Sequence, residues 1–161
     1  MKTPGPRAIL GAAVILAVLS YILYVAATMP GAATLANPPS SFTVNGRTFA
    51  ISYTATDQSS RQAGLMNRKV TNATTMLFVF PSAGTYSFWM SNVNSSLDII
   101  WLNVTAGGGN VVYVVRSAPP CSAAILCPVY QPSSAANWVL EAKGGFAEAN
   151  GIAVGTTIHF G

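Results

Sequence analysis

The hydrophobic pattern changes character along this chain. Ala8 to Thr28 is an unbroken apolar run with no charged side chain. As a helix it would reach about 30 Å, the thickness of a bilayer's hydrocarbon core. From Phe42 the pattern alternates, with Phe42 and Val44 before Asn45-Gly46 and Phe49, Ile51 and Tyr53 after it. Alternation marks half-buried strands, and Asn-Gly supplies the two positive-φ positions of a type I′ hairpin turn. Asp57 to Arg68 reads as a helix, with Asp57 or Ser59 as its N-cap and Ala63 and Met66 on one face. Arg61 and Arg68 lie two turns apart and share a face. Gly64 falls inside that helix at a cost of about 1 kcal/mol against alanine, which implies close packing there.

Short apolar runs follow. Met76 to Phe80 is closed by Pro81, and Ala83-Gly84 turns the chain into Tyr86–Met90. A polar bend, Ser91 to Ser96, separates that run from the strand Leu97 to Asn103. A loose glycine-rich turn from Thr105 to Asn110 leads into Val111–Arg116. Cys121 to Pro132 reads as an irregular loop, and Trp138 to Glu141 as the next strand. A short helix from Gly145 to Gly151 and a last strand from Thr156 to Phe160 complete the chain. About eight strands and two short helices predict a mainly β, antiparallel-dominated sandwich or barrel of jelly-roll type. The domain plan is a membrane anchor over 1–28, a proline-bearing tether over 29–41 and a β-rich domain over 42–161.

Charge sets the orientation. Lys2 and Arg7 precede the apolar run, while Tyr21 and Tyr24 near its far end suit the headgroup level. An anchor with these flanks keeps its N-terminus inside and places the domain on the outer face of the cytoplasmic membrane. The alternative is a signal peptide, cleaved near Ala26, Ala27, Ala32 or Ala33 to give a secreted product. The chain is 51% hydrophobic and 7% charged, with a net charge of +4. Beyond Thr28 the bases barely outnumber Asp57, Asp98, Glu141 and Glu148 and form no basic run, which excludes a nucleic-acid footprint. Asn72, Asn94 and Asn103 each begin an Asn-X-Ser/Thr triplet, the acceptor of N-glycosylation in exported chains. A glycan on Asn94 would crowd the bend.

Candidate chemistry is sparse. Cys121 and Cys127, in a proline-flanked loop facing an oxidising exterior, predict a local disulfide. A metal site would need further ligands, and His159 is the single histidine, so no metal or cofactor is expected. No G-x-S-x-G elbow exists, and Asp98 with Glu141 is the one carboxylate pair worth weighing for glycoside hydrolysis. No catalytic residue is assigned. The stretch Thr85–Leu102 gathers Phe88, Trp89 and Met90 near Asn92, Asn94 and Asp98, the makings of a lined cleft or of a plain core hairpin. Asp98 shares a strand face with Ile100 and Leu102, so its carboxylate needs a partner. The expected partner is Arg61 or Arg68, with Arg68 preferred.

A set of blocks in fixed order carries a family resemblance. They are Arg61-x-x-Gly-Leu-Met-x-Arg68, Met76-Leu-Phe-Val-Phe-Pro81, Ser87-Phe-Trp-Met-x-Asn92 and Leu97-Asp-Ile-Ile100. Pro119-Pro-Cys121, Cys127-Pro-x-Tyr130, Val139-Leu-Glu141 and Gly151-Ile-x-x-Gly155 follow. Over about residues 43–160 the chain resembles domain of unknown function family 192. The resemblance implies a small prokaryotic domain, often exported or anchored, with a jelly-roll-like β fold, in a family for which no general biochemical activity is established. It also carries over Arg61, Arg68, Trp89, Asn92, Asp98 and Glu141. Ser91, Ser96 and Thr156 depart from the family's usual basic residue, proline and charged residue. If the family's cleft holds an anion through that basic residue, this chain binds it more weakly or binds something else.

The resulting expectation is a non-catalytic, membrane-tethered module. It binds a glycan or peptide-like ligand at Trp89, Met90 and Asn92, with Asp98 at the edge and Arg61, Arg68 and Glu141 as further candidates. The runner-up is a structural or assembly partner of another cell-envelope protein, and an enzyme of unknown class comes third.

Overall fold

A computed structural model of the chain describes residues 37–106, 108–122 and 126–161. The expected anchor over Ala8–Thr28 lies outside the described residues, among which no helix is long and apolar enough to cross a membrane. The first strands are β1 (Ser41–Val44), β2 (Arg47–Ala50) and β3 (Tyr53–Ala55), followed by helix α1 (Gln58–Ala63). Then come β4 (Thr75–Gly84), β5 (Phe88–Trp89), β6 (Leu97–Thr105), β7 (Gly108–Ala118) and β8 (Val129–Tyr130). β9 (Ala136–Lys143), α2 (Phe146–Ala149) and β10 (Thr157–Phe160) end the chain.

Eight strands form one curled sheet, a half-barrel in the order β2-β1-β10-β7-β6-β9-β4-β3, while β5 and β8 make a separate ribbon. Within this sheet, among the described residues, the β3–β4 pairing is parallel and the others are antiparallel. The mainly β, antiparallel-dominated architecture with two short helices is therefore present. Its central strands are covered on both sides, which explains why Leu97–Leu102 is buried residue after residue instead of alternating. One side packs Leu77, Ile100, Leu102 and Leu140 against Phe42, Ile158 and Ala147 of α2. The other packs Phe78, Ile99, Trp101 and Val139 against Leu65, Met90 and Phe88.

The hairpin forms as expected, with Asn45 at φ 49° and Gly46 at φ 75°. α1 begins on Asp57 in a reciprocal capping box with Ser60 but stops at Ala63, well short of Arg68. Gly64 is the residue that ends it, at φ 46°. A Cβ there would meet Phe78 at an ordinary 3.6 Å, so the left-handed backbone rather than crowding accounts for the glycine. β4 runs through Pro81 because the register against β9 breaks between Val79 and Gly84, where the missing N–H leaves no gap in the ladder. β5 pairs with β8 inside the supposedly irregular loop, not with β6. The reason is the disulfide Cys121–Cys127: Ser91 and Val93 bridge to Cys121, and Asn92 N–H donates to the Cys121 carbonyl at 2.8 Å.

Asp98 corrects the ion-pair expectation. It is fully buried on the face shared with Ile100 and Leu102, and it accepts backbone N–H bonds from Ser117 at 2.7 Å, Gly145 at 3.2 Å and Ala147 at 2.6 Å. The arginines belong to the opposite face. Arg61 donates to Thr56 and Val79 carbonyls, and Arg68 donates to Gly64 and lies over the Tyr53 ring. The carboxylate thus clamps the ends of β7 and β9 and the start of α2 to β6. It also holds Ser117 in its positive φ of 48°.

Asp98→Asn puts an amide donor where two oxygens accept three N–H bonds, and should cost about 2–5 kcal/mol. The melting temperature should fall sharply, and a melt at the wild-type temperature would contradict the clamp. Cys121→Ser should cost about 2 kcal/mol by chain-entropy reasoning for so short a loop. Thiol counting on unreduced, denatured protein should find no free cysteine.

Candidate functional site

α1 lies beside the outer half of β4, and the turn from Gly84 brings the chain back across it into β5. Between them is a cleft of about 500 Å³. Its helical wall carries Gln58, Arg61 and Gln62, spaced so that all three share one face. Its opposite wall is aromatic. Phe80 and Tyr86 stack with centroids 3.6 Å apart and planes within 10°, and Trp89 is 48% exposed at the mouth. Tyr86 is fixed by its hydroxyl, which donates to the Ser82 carbonyl at 2.8 Å.

Arg61 is held from behind. Nη1 donates to the carbonyls of Thr56 at 2.7 Å and Val79 at 2.9 Å, and the guanidinium sits 5.1 Å from the Phe80 centroid. Nε and Nη2 make no hydrogen bond to another described residue and stay available. Such a guanidinium is pre-oriented and keeps a carboxylate-matching edge open.

Adjoining the cleft, a crevice of about 30 Å³ shares Arg61, Met66, Phe88 and Trp89 with it and is lined by Glu141 as well. That volume holds about one water molecule. Glu141 stands on β9 between Met76 of β4 and Ile99 of β6, only 4% exposed. Its Oε2 has no hydrogen-bond partner among the described residues. Burial pushes its carboxyl from 4.5 up to about 8, so the neutral acid dominates at physiological pH.

The structure brings Arg61, Trp89 and Glu141 together and separates the other candidates. Met90 is fully buried in the core. Asn92 is exposed at φ 54° and serves through its backbone, accepting from Asn67 N–H at 2.9 Å. Arg68 stacks on Tyr53 away from the cleft, 4.4 Å from that centroid. Asp98 and Glu141 face opposite sides of the sheet, so they do not converge on one bond. Ser91 is buried, and Arg61 is the charged side chain among the residues lining the cleft. The sequence reading missed Gln58, Gln62, Phe80 and Tyr86. The helical spacing of Gln58, Arg61 and Gln62 was a usable signal, whereas the Phe80–Tyr86 stack needed the turn geometry. Asn72, Asn94 and Asn103 are all exposed. No group of His, Cys, Asp and Glu among the described residues has the arrangement of a metal site.

Glu141 gives stability a pH dependence of known sign. Between about 4.5 and about 8 the folded carboxyl keeps a proton that the unfolded chain has lost. Stability is therefore highest at the acid end of that window and falls by on the order of a few kcal/mol as pH rises through it. Glu141→Gln should flatten this slope and be at least as stable as wild type at pH 8. Denaturant unfolding at pH 5 and pH 8 checks it, and an unchanged slope in the variant would contradict the assignment.

No functionally curated protein matches the chain. In overall fold it is similar to a crystal structure from Sinorhizobium meliloti 1021 described as a candidate transcription regulator. The identity is 24% over 74% of this chain and 90% of that one, with a TM-score of 0.62. It is also similar to a protein of unknown function from Novosphingobium aromaticivorans, 23% identical over 80% of this chain and 96% of that one, with a TM-score of 0.63. At these identities the likeness speaks for the fold alone. The model of the family DUF192, described as uncharacterized ACR, matches residues 40–160, the whole β domain, and the chain belongs to that family.

Proposed function

We propose that this protein is a non-catalytic binding module, tethered to the outer face of the cytoplasmic membrane, that holds a glycan or peptide-like ligand in the cleft between α1 and β4–β5. One observation carries the reading: an exposed tryptophan faces a polar helix wall across a preformed concavity. An aromatic platform with a few convergent polar groups is the usual equipment of a ligand site. The tether and orientation rest on the charge-free run Ala8–Thr28 behind Lys2 and Arg7. The disulfide and the three exposed sequon asparagines fit an exported domain. The curled sheet, covered on both sides, accords with a jelly-roll-like ancestry.

An assembly partner would present a flat apolar patch instead. Trp89 pairs with Val129 across the β5–β8 ribbon, and Leu126 near it is 81% exposed, which keeps an envelope-protein partner as the second reading.

Indole fluorescence tests the first reading. Trp101 and Trp138 are buried, so a ligand in the cleft should perturb the emission of Trp89 alone. Panels of oligosaccharides and of short peptides should contain ligands that shift this emission. Trp89→Ala should abolish the response and leave the melting temperature within a few degrees, since the ring is half exposed. No response across both panels would overturn the proposal.

A further inference from the structure

We propose that the ligand of this cleft is an acidic sugar, lying on Trp89 with its carboxylate on the Nε–Nη2 edge of Arg61. The inference rests on the binding-module reading and narrows it to one chemical class.

The charge arrangement is the first argument. Arg61 is the charged side chain of the cleft wall, and no described carboxylate neutralises it. Asp57, four residues earlier on the same helix, is spent on the capping box, accepting from Ser60 N–H at 2.9 Å and Ser60 Oγ at 2.7 Å. Glu141 lines the same crevice as Arg61, but as a neutral acid it contributes no opposing charge at pH 7. Arg68, the nearby base, lies over Tyr53. A half-buried guanidinium without a counter-charge attracts an anion far better than one in open water.

The second argument is geometry. With Nη1 tied to two carbonyls, the remaining Nε and Nη2 form the planar fork that takes a carboxylate side-on. Gln58 and Gln62 on the same helix face offer donors and acceptors to hydroxyl groups, and Trp89 opposite them offers a flat surface to a ring. A sugar acid presents all three features at once.

The third argument is that Glu141, which lines the crevice, carries a buried Oε2 without a hydrogen-bond partner among the described residues. A buried oxygen without a partner invites a ligand group or one bridging water. While Glu141 is neutral, its O–H can donate towards the ligand. Once it ionises, it sets a negative charge beneath an anion. Met76, Ile99, Phe88 and Trp89 from β4, β6 and β5 bring no charge to Glu141, leaving Arg61 of α1 as the other charged group lining that crevice. Affinity for the acidic sugar should therefore fall as pH rises above about 8.

The test uses the full-length chain in detergent. Calorimetric titration compares oligogalacturonate, oligosialate and muramic-acid oligomers with the methyl ester of each. At least one acid should bind about tenfold tighter than its ester, and raising salt from about 50 to about 500 mM should remove the preference. Arg61→Gln should bind acid and ester alike. Should that variant fail to fold, the salt comparison on wild type decides the point. Glu141→Gln should keep the preference at pH 9, where wild type loses it. Equal, Trp89-dependent binding of acids and esters would overturn the acidic-sugar assignment and leave the binding module standing. Binding of none of these probes, with a peptide shifting Trp89 emission instead, would overturn the sugar class. Silence from sugars and peptides alike would overturn both.

Discussion

A carboxylate buried among apolar strands persists only if its lone pairs are filled, and at Asp98 three backbone N–H groups fill them. The rest of the structure hangs on that arrangement. The amides come from the end of β7, from the glycine turn after β9 and from the first turn of α2, so one side chain fixes where two strands stop and the helix starts. Gly144 makes the approach possible, since a Cβ there would collide with Ser96. With β6 and β9 locked in register, Ile99 and Glu141 stand side by side on the far face. That placement is what positions the cleft.

Glu141 is the counterpart. It sits on the neighbouring strand, equally withdrawn from water, yet Oε2 goes unpaired. Replacing it with an apolar residue would relieve a folding penalty, so the fold alone gives no reason for an acid there. The crevice from Glu141 to Trp89 and Arg61 supplies a reason outside folding. The two buried carboxyls thus divide between architecture and ligand recognition according to whether the backbone satisfies them.

Much of this was legible in the chain because it follows from local rules. Asn45-Gly46 dictates its turn, Asp57 its cap, and Leu97–Leu102 reads as a strand whose cover on both sides became visible only in the structure. The family blocks also marked Arg61, Trp89 and Glu141 without saying that they meet. One failure was local, the left-handed Gly64 that ends α1 before Arg68; the others were matters of long-range geometry. Alternation placed Asp98 on the correct face, but the partners of that face were backbone amides, which carry no signature in a sequence. The bend Ser91–Ser96 looked like a hairpin turn because nothing local shows that the Cys121 segment pairs with it. Trp89 was named as a cleft candidate, while the helix wall formed by Gln58, Arg61 and Gln62 became visible only once the structure set it beside Trp89.

The central claim is that Glu141 is an unsatisfied neutral acid communicating with the cleft. The most direct measurement is the carbon-13 carboxyl titration of Glu141 in the free protein, followed together with the indole N–H resonance of Trp89. The account predicts a midpoint near 8 for the carboxyl, with the indole resonance moving at the same pH. A Glu141 midpoint in the ordinary carboxylate range, or an indole signal indifferent to it, would contradict the account.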